Sequence, residues 1–155
     1  MTPQEKANAA AVSALSAAVE RYVTGSISAV DFADELTPLL ADDVEFWSNY
    51  TPTWEPLRPL FAERHGVEGI VARYDYENQH EAIEPGSAVP TDIAIAGDVM
   101  YLTQRETARF FGRDPVTWDM VIRIDFRAGL IAKLQMFLDS APIEAVYGRF
   151  AGRGV

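Results

Sequence analysis

The 155 residues contain no cysteine and only two histidines, His65 and His80. The first absence excludes disulfides, thiolate nucleophiles and Cys-ligated metals, and it is compatible with the cytoplasm, the location expected for the chain. Two distant histidines with no HxxxH or HxH spacing offer no first coordination shell, so no metal site is expected. Positive charge is scarce as well: 13 Lys and Arg stand against 23 Asp and Glu, for a formal net charge of -10. Nucleic acid and anionic membrane both require a basic patch, and neither is expected as a partner. No apolar run approaches the roughly 18 residues of a membrane span. The Ala-rich start carries Glu5 and Lys6 and lacks a basic leader, so the sequence reads as a mature soluble protein. Gly66 and Gly69 follow no strand in a phosphate-loop pattern, and no cofactor is expected. No Pro/Gly/Ser-rich linker divides the chain, which reads as one domain over residues 1–155.

What is present is organised around Asp92 to Asp139. This stretch reads as three strands, Ile93–Phe111, Pro115–Phe126 and Leu130–Asp139, separated by turn residues at 112–115 and 127–129. In the second, Trp118, Met120, Ile122, Ile124 and Phe126 share one face, with Asp119, Arg123 and Asp125 on the other. Such a meander has one apolar face to cover, and the upstream helices are the material for it. The first helix is expected over Pro3–Thr24, capped by Thr2 with Glu5 in its first turn, and the second over Ala29–Leu40 behind Ser28, ending or kinking near Thr37 because of Pro38. Asp43–Tyr50 alternates as a strand. The proline-rich segment from Thr51 to Gly66 reads either as a lid over a pocket mouth or as an ordered loop anchored by Trp54 and Phe61. A third helix follows from Gly66 to Asn78, with Val67, Ile70, Val71, Tyr74 and Glu77 on one face, then a weak strand from Glu81 to Val89 broken at Pro85-Gly86. Ala141–Phe150 makes a short terminal helix, and the last four residues are expected to fray.

This order of elements, with Val19–Phe46, the helix Gly66–Tyr74 and the terminal strand Gly129–Asp139, resembles the nuclear-transport-factor-2-like superfamily, and within it the SnoaL-like and ketosteroid-isomerase-like group. The resemblance implies an α+β fold: a cone-shaped, curved antiparallel sheet of about five to six strands wrapped around a pocket and covered by three helices from the N-terminal half. It also implies a homodimer through the sheet and a hydrophobic small molecule as ligand or substrate.

Carried over residue by residue, the resemblance makes Tyr22, in the context Val19-Glu20-Arg21-Tyr22-Val23, an oxyanion-binding hydroxyl. The general-base position of the steroid isomerases holds Ser48, and their protonated-aspartate position falls near Asp119, which strand alternation sets opposite Trp118, Met120 and Ile122 unless a bulge intervenes. In comparison with limonene-epoxide-hydrolase relatives, Arg105 matches the arginine while Thr107 and Met136 replace the two aspartates. Asn78-Gln79-His80 resembles a dehydratase context in which the histidine moves a proton or holds water. Asp139, or else Glu106, matches the acid/base of the cyclases. Trp47, Tyr50, Trp54, Phe61, Tyr74, Met120 and Met136 are candidate pocket walls, although any core would use such residues. Arg105, Arg109, Arg113 and Arg123 with Glu106, Asp119 and Asp125 read as a solvated or dimer-facing surface. The expected function is proton-transfer chemistry (isomerisation, cyclisation or dehydration) on an apolar carbonyl- or hydroxyl-bearing molecule such as a polyketide, terpenoid or steroid, with Tyr22, His80 and Asp139 as the working groups. The alternative is a non-catalytic binding module for a hydrophobic small molecule.

Overall fold

The computed structural model describes residues 1–155. Thr2 caps the first helix, α1 (Pro3–Val23), with the reciprocal Thr2/Glu5 capping box the sequence signals. Helix α2 (Ala29–Leu36) is capped by Ser28 and stops short of Pro38, so Leu40 opens strand β1 (Leu40–Ser48) three residues earlier than the alternation indicates. A 3-10 turn (Glu55–Leu57), the one-turn helix α3 (Arg58–Phe61) and the short β2 (Arg64–His65) lead into α4 (Gly66–His80). Then come β3 (Glu81–Ile83), β4 (Val89–Ala96), β5 (Val99–Phe110), β6 (Val116–Arg127), β7 (Leu130–Leu138) and the terminal helix α5 (Ala141–Tyr147).

The seven strands form one open sheet in the order β2-β1-β7-β6-β5, with β3 and β4 both pairing along the outer side of β5. Every pairing is antiparallel except β1 with β7. Residues 93–111, which the sequence pattern runs as a single strand, are in fact a hairpin. Gly97 sits at φ 59°, a conformation that two-residue hairpin turns need and side chains disfavour, and Ala96 pairs with Val99 across it.

Two apolar cores fill the concave side. Leu15, Ala18 and Tyr22 of α1, Phe32 and Leu36 of α2, and Ile70 of α4 pack on Val44, Phe46, Leu102, Ile124 and Leu134 of the sheet. At the other end Trp54, Leu57, Leu60 and Phe61 pack with Ile143 and Tyr147 of α5 on Phe110, Val116, Trp118 and Leu138. The proline-rich segment is therefore an anchored loop, its Trp54 and Leu57 wholly buried. The final residues are tied down too, because the Trp54 indole N–H donates to the Arg153 carbonyl at 2.8 Å; this corrects the expectation of a frayed end. Only Ile122 and Met136 touch both cores, and the space between the cores is a cavity.

The start of α1 is clamped to the β4–β5 turn. Glu5 Oε1 accepts from the Gly97 N–H at 3.0 Å, and the fully buried Asn8 donates to the Gly97 carbonyl at 3.0 Å and to Asp98 Oδ1 at 3.3 Å. That clamp sets the height of α1, one wall of the cavity, over the sheet. Asn8→Ala is expected to cost about 0.5–1.5 kcal/mol, the net worth of a typical intramolecular hydrogen bond. A denaturant midpoint unchanged from the parent chain would show that the clamp contributes nothing.

Candidate active site

The cavity has a volume of about 590 Å³ and opens between the C-terminal half of α1, at Val19, Glu20 and Val23, and the segment from Glu84 to Pro90. Its walls are mostly apolar, as expected of a small-molecule site. The polar groups come from α4, β3 and β5.

On α4 the inward stripe begins with Ile70 and continues as Arg73, Tyr74 and Glu77, spaced by three or four residues; Glu81, at the helix-to-strand junction, extends it. On β5 the inward positions run Met100, Leu102, Gln104, Glu106, Ala108 and Phe110, so two polar residues sit in the middle of an otherwise apolar face. Glu106 is therefore inside, 7% exposed, and not part of the surface set to which the sequence pattern assigns it. The rest of that set holds: Arg105 and Asp119, cross-strand partners, form a two-pronged ion pair at 2.7 and 3.1 Å on the outer face.

Arg73 is 6% exposed and held on three sides. Its Nε donates to the Leu60 carbonyl at 2.8 Å, one terminal nitrogen donates to Glu77 Oε2 at 2.9 Å, and the guanidinium lies 4.4 Å from the Phe46 ring centroid. Burial works against its charge, but Glu77 and the neighbouring acidic groups outweigh that and raise its pKa. Glu77 is thus neutralised, whereas Glu81 and Glu106 have no cation of their own. Burial first, then the negative charge of Glu77 and Glu106, pushes Glu81 well above the usual carboxylate range. Burial and the charge of Glu77 also raise Glu106, while neighbouring Glu81 and the Gln104 amide, which donates at 3.3 Å, favour its ionised form. Both carboxyls are thus biased toward the protonated form, Glu81 the more strongly. Beside it, burial pushes the Tyr74 phenol up to about 12. Chemically, the pair combines a hydrogen-bond donor and a base in one water-poor place.

Of the working groups that the resemblance names, Glu106, the alternative to Asp139, lies here, and the others lie elsewhere. Tyr22 is buried in the first core, stacked on Phe32 at 4.4 Å, with its hydroxyl donating to Asp75 Oδ1. His80 stacks on Phe111 at 4.7 Å beyond the end of the α4 stripe. Asp139 is exposed and accepts from the Ala141 N–H at 3.2 Å, capping α5. Asp119 points outward to Arg105, as the alternation of β6 requires. None of the four lines the cavity, and no hydrogen bond joins any two of their side chains. Of the candidate walls, Phe61, Tyr74, Met120 and Met136 do line it. Tyr50 donates to Glu144 and Trp54 to Arg153, both within the second core, and Trp47 packs against Phe137 at 5.3 Å. Ser48, at the general-base position of the isomerases, donates to the Phe61 carbonyl at 2.8 Å. Arg73, Glu81 and Gln104 are the site residues that sequence reasoning passed over. The signal available for Gln104 and Glu106 was polar residues at even positions of a strand whose other even positions are apolar.

No protein-family model matches the sequence, and no curated protein matches it. Solved structures share its fold. An NTF2-like protein from Burkholderia xenovorans superposes with a TM-score of 0.74 at 17% identity, over 92% of this chain and 97% of that one. An LEH-like epoxide hydrolase of M. tuberculosis gives 0.62 at 14% identity, over 95% and 93%. A Catenulispora acidiphila protein with a ketosteroid isomerase-like fold, crystallised with trimethylamine, gives 0.57 at 19% identity, over 75% and 82%. The chain therefore has the nuclear-transport-factor-2-like fold, an α+β architecture with an open, curved sheet around a cavity.

Proposed function

We propose that the cavity catalyses proton transfer on an apolar, carbonyl- or hydroxyl-bearing small molecule, and that the Glu81–Glu106 pair does the work. The observation that carries this reading is two carboxyls, Glu81 and Glu106, on the wall of a largely apolar cavity and without a cation of their own, where burial raises both pKa values. Ionised Glu106 takes the proton from a carbon next to a carbonyl, and protonated Glu81 donates to the carbonyl oxygen as the enol forms. Glu106 then gives up its proton, to another carbon in an isomerisation or to a β-hydroxyl that leaves as water in a dehydration, while Glu81 takes back the enol proton. Arg73 pairs with Glu77 and leaves Glu81 and Glu106 free to exchange protons. Two copies of the chain are expected to pair through the outer face of the sheet, where Tyr101 and Phe137 are exposed at 42% and 39%.

Deuterium incorporation tests the chemistry. Incubated in heavy water with a panel of cyclic ketones and enones, the protein is expected to accelerate exchange at the carbon beside the carbonyl, read by mass spectrometry. Glu106→Gln and Glu81→Gln should each lower the rate by roughly 10²- to 10⁴-fold. Ligands that raise the melting temperature without any exchange would instead mark a binding module. The pH profile should be a bell whose two limbs belong to the pair jointly, because one carboxyl must be ionised and the other protonated.

Stability gives an independent reading. Glu81 has a folded-state pKa above its unfolded value, so the folded chain takes up a proton and its stability falls as pH rises above about 4.3, through the folded pKa. Wild-type melting temperature should fall between about pH 5 and pH 8, and Glu81→Gln should flatten that fall and melt higher at its alkaline end. Parallel curves for the two proteins would mean that Glu81 ionises as freely folded as unfolded.

Light scattering on a size-exclusion column is expected to give twice the 17.1 kDa chain mass, and Phe137→Glu to halve it. A wild-type monomer would remove the dimer from the proposal.

A further inference from the structure

The cavity wall is unevenly charged. It has one cation, Arg73, and five carboxyls: Glu20, Glu77, Glu81, Glu84 and Glu106. Arg73 is already committed to Glu77, the Leu60 carbonyl and the Phe46 ring. Glu81 and Glu106 consequently face the cavity without a cation of their own, and Glu20 and Glu84 repeat the same sign at its mouth. Next to the pair the walls are aromatic, from Phe46, Phe61, Tyr74 and Trp118. Trp118 is 3% exposed and its indole N–H has no hydrogen-bond partner. This wall thus offers a free donor, which an oxygen of the ligand can take and a protonated amine cannot.

A neutral apolar ligand explains the aromatic surface but leaves the excess of carboxyls without a purpose. Burying charge is tolerated when it is paired, and the one species that would pair this charge while filling an aromatic enclosure is an organic cation. Its charge meets the carboxylates, and its alkyl shell meets the electron-rich ring faces. We propose that the ligand of this cavity is an apolar molecule carrying a protonated amine, with its nitrogen against the Glu81–Glu106 pair. The inference rests on the same carboxyl pair as the proton-transfer reading and narrows its substrate class to amine-bearing molecules. The amine's charge is met by the ionised member of the pair, and the other member keeps the proton that the proton-transfer reading requires. The other titratable or charged groups facing the pair are Arg73, Tyr74 and Glu77 from α4, and Glu20 and Glu84 at the mouth.

Three probes of one size and shape separate the possibilities: N,N-dimethylbenzylamine as the cation, isobutylbenzene as its neutral counterpart, and phenylacetate as the anion. Titrated into the wild-type chain at neutral pH and followed by the Trp118 indole resonance and by calorimetry, the amine is expected to bind at least about tenfold more tightly than isobutylbenzene, with no binding of phenylacetate. The double variant Glu81→Gln/Glu106→Gln, checked for native circular dichroism, should abolish the preference. Equal affinity for isobutylbenzene, any preference for phenylacetate, or failure of the amine to bind overturns the proposal, and the wild-type comparison decides this even if a variant does not fold. Exchange into neutral ketones without an amine preference would sink this inference and leave proton transfer standing. An amine preference without exchange would do the reverse.

Discussion

Three carboxyl groups around one guanidinium set the shape of this interior. Arg73 is anchored to the Leu60 carbonyl, to Glu77 and to the ring of Phe46, and so ties α4 to the α3 segment and to β1. Around that anchor the chain cannot close a dry core, because Glu81 and Glu106 resist contact with apolar side chains unless each is paired or protonated. The two apolar clusters accordingly stay apart and meet only through Ile122 and Met136. The cavity is the space between them.

The curved sheet makes such a partition possible. β5 and β6 are both twelve residues long, and each contributes to both clusters: Leu102 and Ile124 to the first, Phe110 and Trp118 to the second. Gln104, Glu106, Met120 and Ile122 occupy the stretch between. Helix α4 crosses the same interval, with Ile70 in the first cluster and Glu77 and Glu81 beyond it, and β3 continues without a linker from its last turn. The helix stripe and the strand face thus bring their polar residues to one spot although these lie up to 33 positions apart, from Arg73 to Glu106.

Much of the fold was legible, for identifiable reasons. The Thr2/Glu5 box, the stop before Pro38 and the alternation of β6 are local signals, and each appears where the residues place it. The hairpin at Gly97 was hidden because residues on both sides of it keep the period of a strand, and only the glycine's positive φ divides them. The candidate site was legible in part. Phe61, Tyr74, Met120 and Met136 were recognisable as walls. Of the polar centre, Glu77 was set on the helix stripe and Glu106 was named as the alternative to Asp139, yet the strand pattern, with Arg105 beside it, set Glu106 on the surface, and Arg73, Glu81 and Gln104 were passed over. Likeness of local context also carried attention to Tyr22, whose environment in this chain is a stacked Phe32 and an Asp75 acceptor. A motif transfers a residue's position but not the groups that surround it.

The carboxyl pair is hard to explain as packing. An apolar residue at Glu81 or Glu106 would join the two cores and remove a desolvation cost that grows as pH rises, so stability alone favours its replacement. The same burial that makes the pair costly raises both carboxyls above their usual range, Glu81 the more, and so suits them to proton transfer, a tuning that solvent would erase. The outer charge points the same way. A net charge of -10 and carboxyls at the mouth draw cations toward the opening and repel anions, so the field of the whole chain and the composition of the cavity select for the same sign of ligand.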